Sequence, residues 1–193
     1  MKGTGPVAGR LSIIGTIAAA LFCLLASAVP AGARGAPSTV LDYYLSLPDA
    51  YFYCEMEPKI TTQYKMKQIV RENIKNGYLL AKSEGYPMEV ALFVDAAGKK
   101  RVIAVNITCG EGCMCNRFAL LRYLGPGNWR NVTADLMPPD GEIEAAIKKK
   151  HGDRNWSLIL PEFGTTVRVV DAATSAPLID LQWVNGVFRI KGE

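Results

Sequence analysis

The chain is short of histidine, of one-sided charge and of nucleotide-binding glycine patterns. Each shortage removes a class of function. His151 is the single histidine among 193 residues. Every mechanism or metal site that needs two imidazoles is therefore excluded, and a Ser-His-Asp or Cys-His arrangement would rest on this one ring. The ring follows Lys148, Lys149 and Lys150 and precedes Gly152. That pattern suits a helix C-terminus, where cations complement the dipole and glycine closes the last turn. Capping or plain exposure is the expected role. No HExxH, P-loop or dinucleotide glycine motif occurs. The 22 Lys and Arg are dispersed among 18 Asp and Glu, for a net charge of +4. A nucleic-acid groove would need them clustered, so no nucleic-acid partner is expected, and no motif asks for a cofactor. With 49% hydrophobic and 21% charged residues the composition is globular, not disordered. The length permits one domain or two small halves.

What is present begins with an address. Residues 1–33 contain Lys2 and Arg10 but no acid, and residues 11–29 run without charge. A basic start, an apolar stretch and small residues at its end form a secretory signal. Ala31-Gly32-Ala33 offers cleavage before Arg34, with Ala26-Ser27-Ala28 as a second site. The competing reading is an uncleaved anchor, since the uncharged run is about long enough to span a bilayer. Cys23 makes a poor lipidation site because Phe22 precedes it. The expectation is an exported protein, periplasmic or secreted, with no membrane span after cleavage.

Cys54, Cys109, Cys113 and Cys115 lie beyond the signal. An even set in an exported chain reads first as disulfides. A Cys113–Cys115 bridge would close a very small strained ring and ranks last. Cys109 then pairs with Cys113 or Cys115, and Cys54 takes the other. The alternative is a metal-binding or redox site at Cys109, Cys113 and Cys115, beside the Met114 thioether, whose soft donors suit copper(I) or zinc.

Apolar spacing predicts a helix over residues 39–47, capped by Ser38 or Thr39 and stopped by Pro48. Residues 66–70 read as a strand leading into a two-residue turn at Asn76-Gly77, with a helix over 62–74 as the alternative. Strands are expected at 78–81, 88–95, 101–108, 117–124 and 129–133. Pro138-Pro139 breaks the chain. Asp140 is expected to cap a helix running to about Lys150, with Ile143, Ala146 and Ile147 buried. Strands at 156–160, 165–171, 178–183 and 187–191 follow, with a hairpin at Asn185-Gly186. The fold class is α+β: two helix-plus-antiparallel-meander units, 34–137 and 138–193, forming one domain braced by disulfides. The hairpins around Tyr123/Trp129 and Trp183/Phe188 share a short pattern that suggests a weak internal duplication.

Few residues suggest a site. Tyr43, Tyr44, Tyr51, Phe52 and Tyr53 read first as core. Tyr51 and Tyr53 are the best placed of them for a carbohydrate- or peptide-binding face. Glu111 and Glu162 lie in predicted loops at 109–116 and 161–165 that can make contacts. A small carboxylate hydrolase would need two converging acids from a set including Glu55, Glu57, Asp95, Glu111, Asp135 and Glu162. Sequons at Asn106, Asn131 and Asn155 fall in or beside predicted strands and read as incidental.

Leu47-Pro48, Lys75-Asn76-Gly77-Tyr78-Leu79, Ala91-Leu92-Phe93, Cys109-Gly110, Trp129-Arg130-Asn131-Val132-Thr133 and Leu160-Pro161-Glu162-Phe163-Gly164 carry a resemblance. In these segments the chain resembles a broad group of exported bacterial proteins of unknown function. The resemblance implies export and an α+β fold, and brings no activity or site residues. Together these readings point to an exported, non-enzymatic binding or inhibitor-type module. Its partner would be an envelope or extracellular protein, a peptide or a glycan.

Overall fold

The computed structural model describes residues 36–52, 60–83, 85–108 and 117–192. Residues 1–33, where a signal is expected, and Tyr53, Cys54, Glu55, Glu57, Cys109, Glu111, Cys113 and Cys115 lie outside the described residues.

Helix α1 (Val40–Ser46) starts at Thr39, whose hydroxyl accepts the Asp42 N–H while the Asp42 carboxylate accepts the Thr39 N–H. This reciprocal box satisfies two otherwise orphaned donors. Val40, Tyr43 and Tyr44 form its buried face. Helix α2 (Thr62–Gln68) stands where the alternation of 66–70 predicted a strand. Two interactions decide for the helix. Thr61 Oγ1 accepts the Tyr64 N–H at 3.1 Å and fixes the start. Lys65 then reaches the end of α1. Its Nζ donates to the Leu47 carbonyl at 2.6 Å and the Leu45 carbonyl at 3.2 Å, with Asp49 Oδ1 at 3.5 Å. The Phe52 ring centroid lies 4.7 Å away. Burial lowers the Lys65 pKa, and Asp49 opposes that shift. Lys65 thus supplies the cation that α1 lacks in its own last turn. Lys65→Met keeps the bulk but withdraws the donor from two carbonyls. The expected loss is about 2 kcal/mol, seen as a lower urea midpoint at unchanged slope.

The first sheet consists of β1 (Arg71–Asn73), β2 (Tyr78–Ser83), β3 (Tyr86–Val94), β4 (Arg101–Ile107), β5 (Arg117–Gly125) and β6 (Asn128–Asn131). They pair antiparallel in chain order. Asn76-Gly77 is not the expected two-residue hairpin. A 3-10 turn over Ile74–Asn76 intervenes, and Gly77 closes it at φ +70. β3 crowds this turn: a Cβ on Gly77 would sit 3.2 Å from the Leu92 carbonyl oxygen, and the Leu92 N–H donates to the Gly77 carbonyl at 2.8 Å. Glycine is required there on both counts.

The two-residue period of the strands serves two cores. Leu79, Ala81, Met88, Val90, Ile103 and Val105 face α1 together with Tyr51 and Phe52. Tyr78, Ala91, Phe93, Val102, Ala104 and Leu120 face the opposite way, into a second core. β4 is buried at six consecutive positions, Val102 to Ile107, because both its faces are covered.

The expected strand over 129–133 ends at Asn131, and Thr133 begins the short helix α3 (Thr133–Leu136). Helix α4 (Asp140–His151) buries Ile143, Ala146 and Ile147, as their spacing predicts. Asp140 sits in its first turn; Pro139 occupies the cap position, without a side-chain hydrogen bond. At the far end, Gly152 adopts φ +75 and donates to the Lys148 carbonyl. His151 Nε2 donates to the Leu178 carbonyl at 2.8 Å. The sole histidine therefore ties a helix end to a strand.

The second sheet contains β7 (Trp156–Ile159), β8 (Thr166–Asp171), β9 (Pro177–Val184) and β10 (Val187–Ile190), ordered β10-β9-β8-β7 and antiparallel throughout. Asn185-Gly186 is a two-residue turn with both φ angles positive, as the sequence indicates. Helices with two antiparallel meanders make the architecture α+β. Each meander also has a hairpin with a cross-strand aromatic pair. Tyr123 and Trp129 lie 5.2 Å apart, and Trp183 and Phe188 lie 5.0 Å apart. Among the described residues no helix is long and apolar enough to cross a membrane.

Candidate functional site

Two polar side chains interrupt the apolar second face of the first sheet. Glu89 on β3 and Asn106 on β4 are register partners. Together they clasp β7. Asn106 Nδ2 donates to the Leu158 carbonyl at 2.7 Å and to Glu89 Oε2 at 3.0 Å. Glu89 Oε2 also accepts the Leu160 N–H at 3.1 Å, and Oε1 accepts the Tyr78 hydroxyl at 3.2 Å. β7 is the terminal strand of its sheet, so Leu158 and Leu160 turn these groups away from β8 and toward the clasp.

A cavity of 330 Å³ opens beside the clasp. Asn106 and Phe118 from the first sheet, Met137 after α3, Asp140 from α4, and Trp156 and Ser157 from β7 line it. Asn106 is only 4% exposed. Its Nδ2 also donates to Thr108 Oγ1 at 3.4 Å, and the carboxylate and carbonyl acceptors fix which end of the amide is nitrogen. The other end, Oδ1, accepts no hydrogen bond among the described residues, although no fully buried side-chain polar atom there lacks a partner. Oδ1 therefore keeps some exposure, and Asn106 is a lining residue of the cavity. The Trp156 indole N–H, the Ser157 hydroxyl and the Asp140 carboxylate also take no protein partner among the described residues. Thr133 differs: its Oγ1 donates to Asn131 Oδ1 and accepts the Leu120 N–H, so it is already satisfied.

Burial, followed by the neighbouring Glu89, pushes the Tyr78 pKa up to about 12, against the partial opposition of Arg71. A phenol whose folded value exceeds its unfolded value favours the folded state fully below pH 10 and loses that contribution as pH rises toward 12. Urea titrations should show stability falling above pH 10, and Tyr78→Phe should make that fall shallower.

Most residues singled out in the sequence lie elsewhere. Tyr51, read first as core and second as a candidate for a binding face, is 7% exposed. Arg117 lies over its ring at 4.4 Å from the centroid and donates to the Ala50 carbonyl, covering it. Tyr43, Tyr44 and Phe52 are core residues as well. Glu162 pairs with Arg71 at 3.1 Å, which holds the 161–165 loop to β1; Phe163 beside it is 69% exposed. Asp95 accepts the Lys99 and Lys100 N–H groups in its turn, and Asp135 pairs with Arg130. Among the described residues no cluster of three His, Cys, Asp or Glu is placed to hold a metal. The sequon at Asn106 has its amide nitrogen engaged inside the protein.

Sequence reasoning thus passed over Asn106, Asp140, Trp156 and Ser157 as site residues. One signal was available: Asn106 is the sole polar residue within Val102 to Ile107. Comparison with family models, curated proteins and solved structures returned no match.

Proposed function

We propose that the chain is an exported, non-enzymatic binding module, and that its partner from the envelope or the cell exterior docks at the cavity beside Asn106. The carrying observation is the Asn106 amide: a side chain almost entirely buried that still presents an unmet acceptor to an open recess. That acceptor takes no protein donor, so a ligand donor can take the place of water on it. Trp156 and Phe118 supply contact area around it.

Immobilised mature protein, incubated with extract from its own envelope, should retain a component that the Trp156→Ala variant releases. Equal retention by both forms removes the cavity from the reading. Turnover by the purified protein on broad hydrolase panels removes the non-enzymatic part.

Export also suits the disulfide reading of Cys54, Cys109, Cys113 and Cys115. The Arg117 contact with Ala50 at 2.7 Å brings the chain just before 53–59 beside the chain just after 109–116. Cys54 follows Ala50 by four residues, and Cys115 precedes Arg117 by two. This proximity supports a bridge from Cys54 to Cys113 or Cys115, with Cys109 joined to the other. We also read the two aromatic hairpins as traces of a duplicated unit; in each, a tryptophan N–H donates to a carbonyl outside its hairpin, Trp129 to Ser46 and Trp183 to Val94.

A further inference from the structure

We infer that the cavity beside Asn106 is a saccharide subsite, shaped for one neutral sugar residue of a glycan. This deepens the binding reading above and rests on it. Three observations carry the inference.

The first is the mixture of polar groups. Asn106 Oδ1 and the Asp140 carboxylate accept, the Trp156 indole N–H donates, and the Ser157 hydroxyl does both. A ligand rich in hydroxyls satisfies all of them, because each hydroxyl donates and accepts in turn. An apolar or purely cationic ligand would leave the indole N–H unmet.

The second is the apolar wall. Trp156 and Phe118 are half-buried and border the recess. Aromatic side chains give large contact area with few rotatable bonds. The C–H faces of a sugar ring suit such walls while its hydroxyls reach the polar groups. At 330 Å³ the cavity falls within the lower range of small-ligand sites.

The third observation disfavours a peptide laid along β7. Strand addition needs a continuous row of outward backbone groups. On β7 the Leu158 carbonyl belongs to Asn106, and the Leu160 N–H just beyond the strand belongs to Glu89. Only the Trp156 end of the strand is left for pairing, which is too short a ladder to seat an extended chain. The clasp closes the peptide option and leaves the pocket beside it open.

The test uses the exported protein at full mature length. Neutral mono- and oligosaccharides form one panel and short unmodified peptides a second, each titrated while backbone amide and indole N–H resonances are followed. Saturable shifts of Trp156, Ser157 and Asn106 with at least one sugar are expected. Trp156→Ala should weaken that sugar at least tenfold, and Asp140→Asn should weaken it with the fold unchanged, since Asp140 is exposed and without a protein partner among the described residues. Sugar shifts that map away from these residues, or survive both substitutions, overturn the inference. If peptides shift them and sugars do not, the saccharide assignment falls while the binding module stands. If neither panel shifts them and envelope retention also fails, both readings fall together.

Discussion

Phe93→Ala is expected to cost the folded protein about 3–5 kcal/mol, the range for emptying an aromatic site in a packed core. The Phe93 side chain is 1% exposed. It lies on β3 of the first sheet, yet its ring neighbours belong to the second: Trp183 at 5.6 Å and Phe188 at 5.0 Å between centroids. Edge-on and tilted ring contacts add to the area buried. Truncation removes both contacts and leaves a void whose walls are strands of two different sheets, which cannot close in without moving a sheet. Trp183 is held in place by its own bond to the Val94 carbonyl at 3.1 Å, so it is poorly free to collapse into the gap. Calorimetry should show the loss as a lower Tm. A cost below 1 kcal/mol would mean that the sheets do not meet at this ring.

Glu89→Ala is expected to cost about 2–4 kcal/mol. The carboxylate serves three donors at once: the Tyr78 hydroxyl, the Asn106 amide and the Leu160 N–H. Asn106 keeps its bond to Leu158, whereas the Leu160 N–H loses its acceptor beside the core. Leaving a buried donor unmet costs more than the lost bond alone suggests. A double-mutant cycle with Asn106→Ala should therefore return a coupling of about 1 kcal/mol or more, as for groups in one network. Additive effects would show that the two side chains grip β7 independently. Urea midpoints of the four proteins decide the matter.

The strands were legible wherever one choice of period dominated. Residues 178–183 alternate, residues 101–107 are a short β-branched run following a glycine turn, and Asn185-Gly186 specifies its turn chemically. Residues 66–70 were not legible because Met66, Ile69 and Val70 fit either period. The choice came from Thr61 upstream and from the reach of Lys65 to the end of α1, a tertiary contact. Tyr51 is buried, but the cover that keeps it from a binding face is not local: it is Arg117, far along the chain. The recess was less legible still. Asn106, Asp140, Trp156 and Ser157 are ordinary residues of three separate segments, and only folding brings them to one opening. Local pattern reports on elements, whereas this site arises between them.

β4 lends one face to each of the two cores. An event that lifts the second sheet away strips one side of β4, and an event that frees α1 strips the other. Neither layer has a strand of this kind to itself. The four-stranded meander therefore lacks a complete core when alone, and the six-stranded one keeps half its apolar surface wet. In cooperative terms, Ala36–Glu193 should melt in a single step, with no half-folded species able to persist.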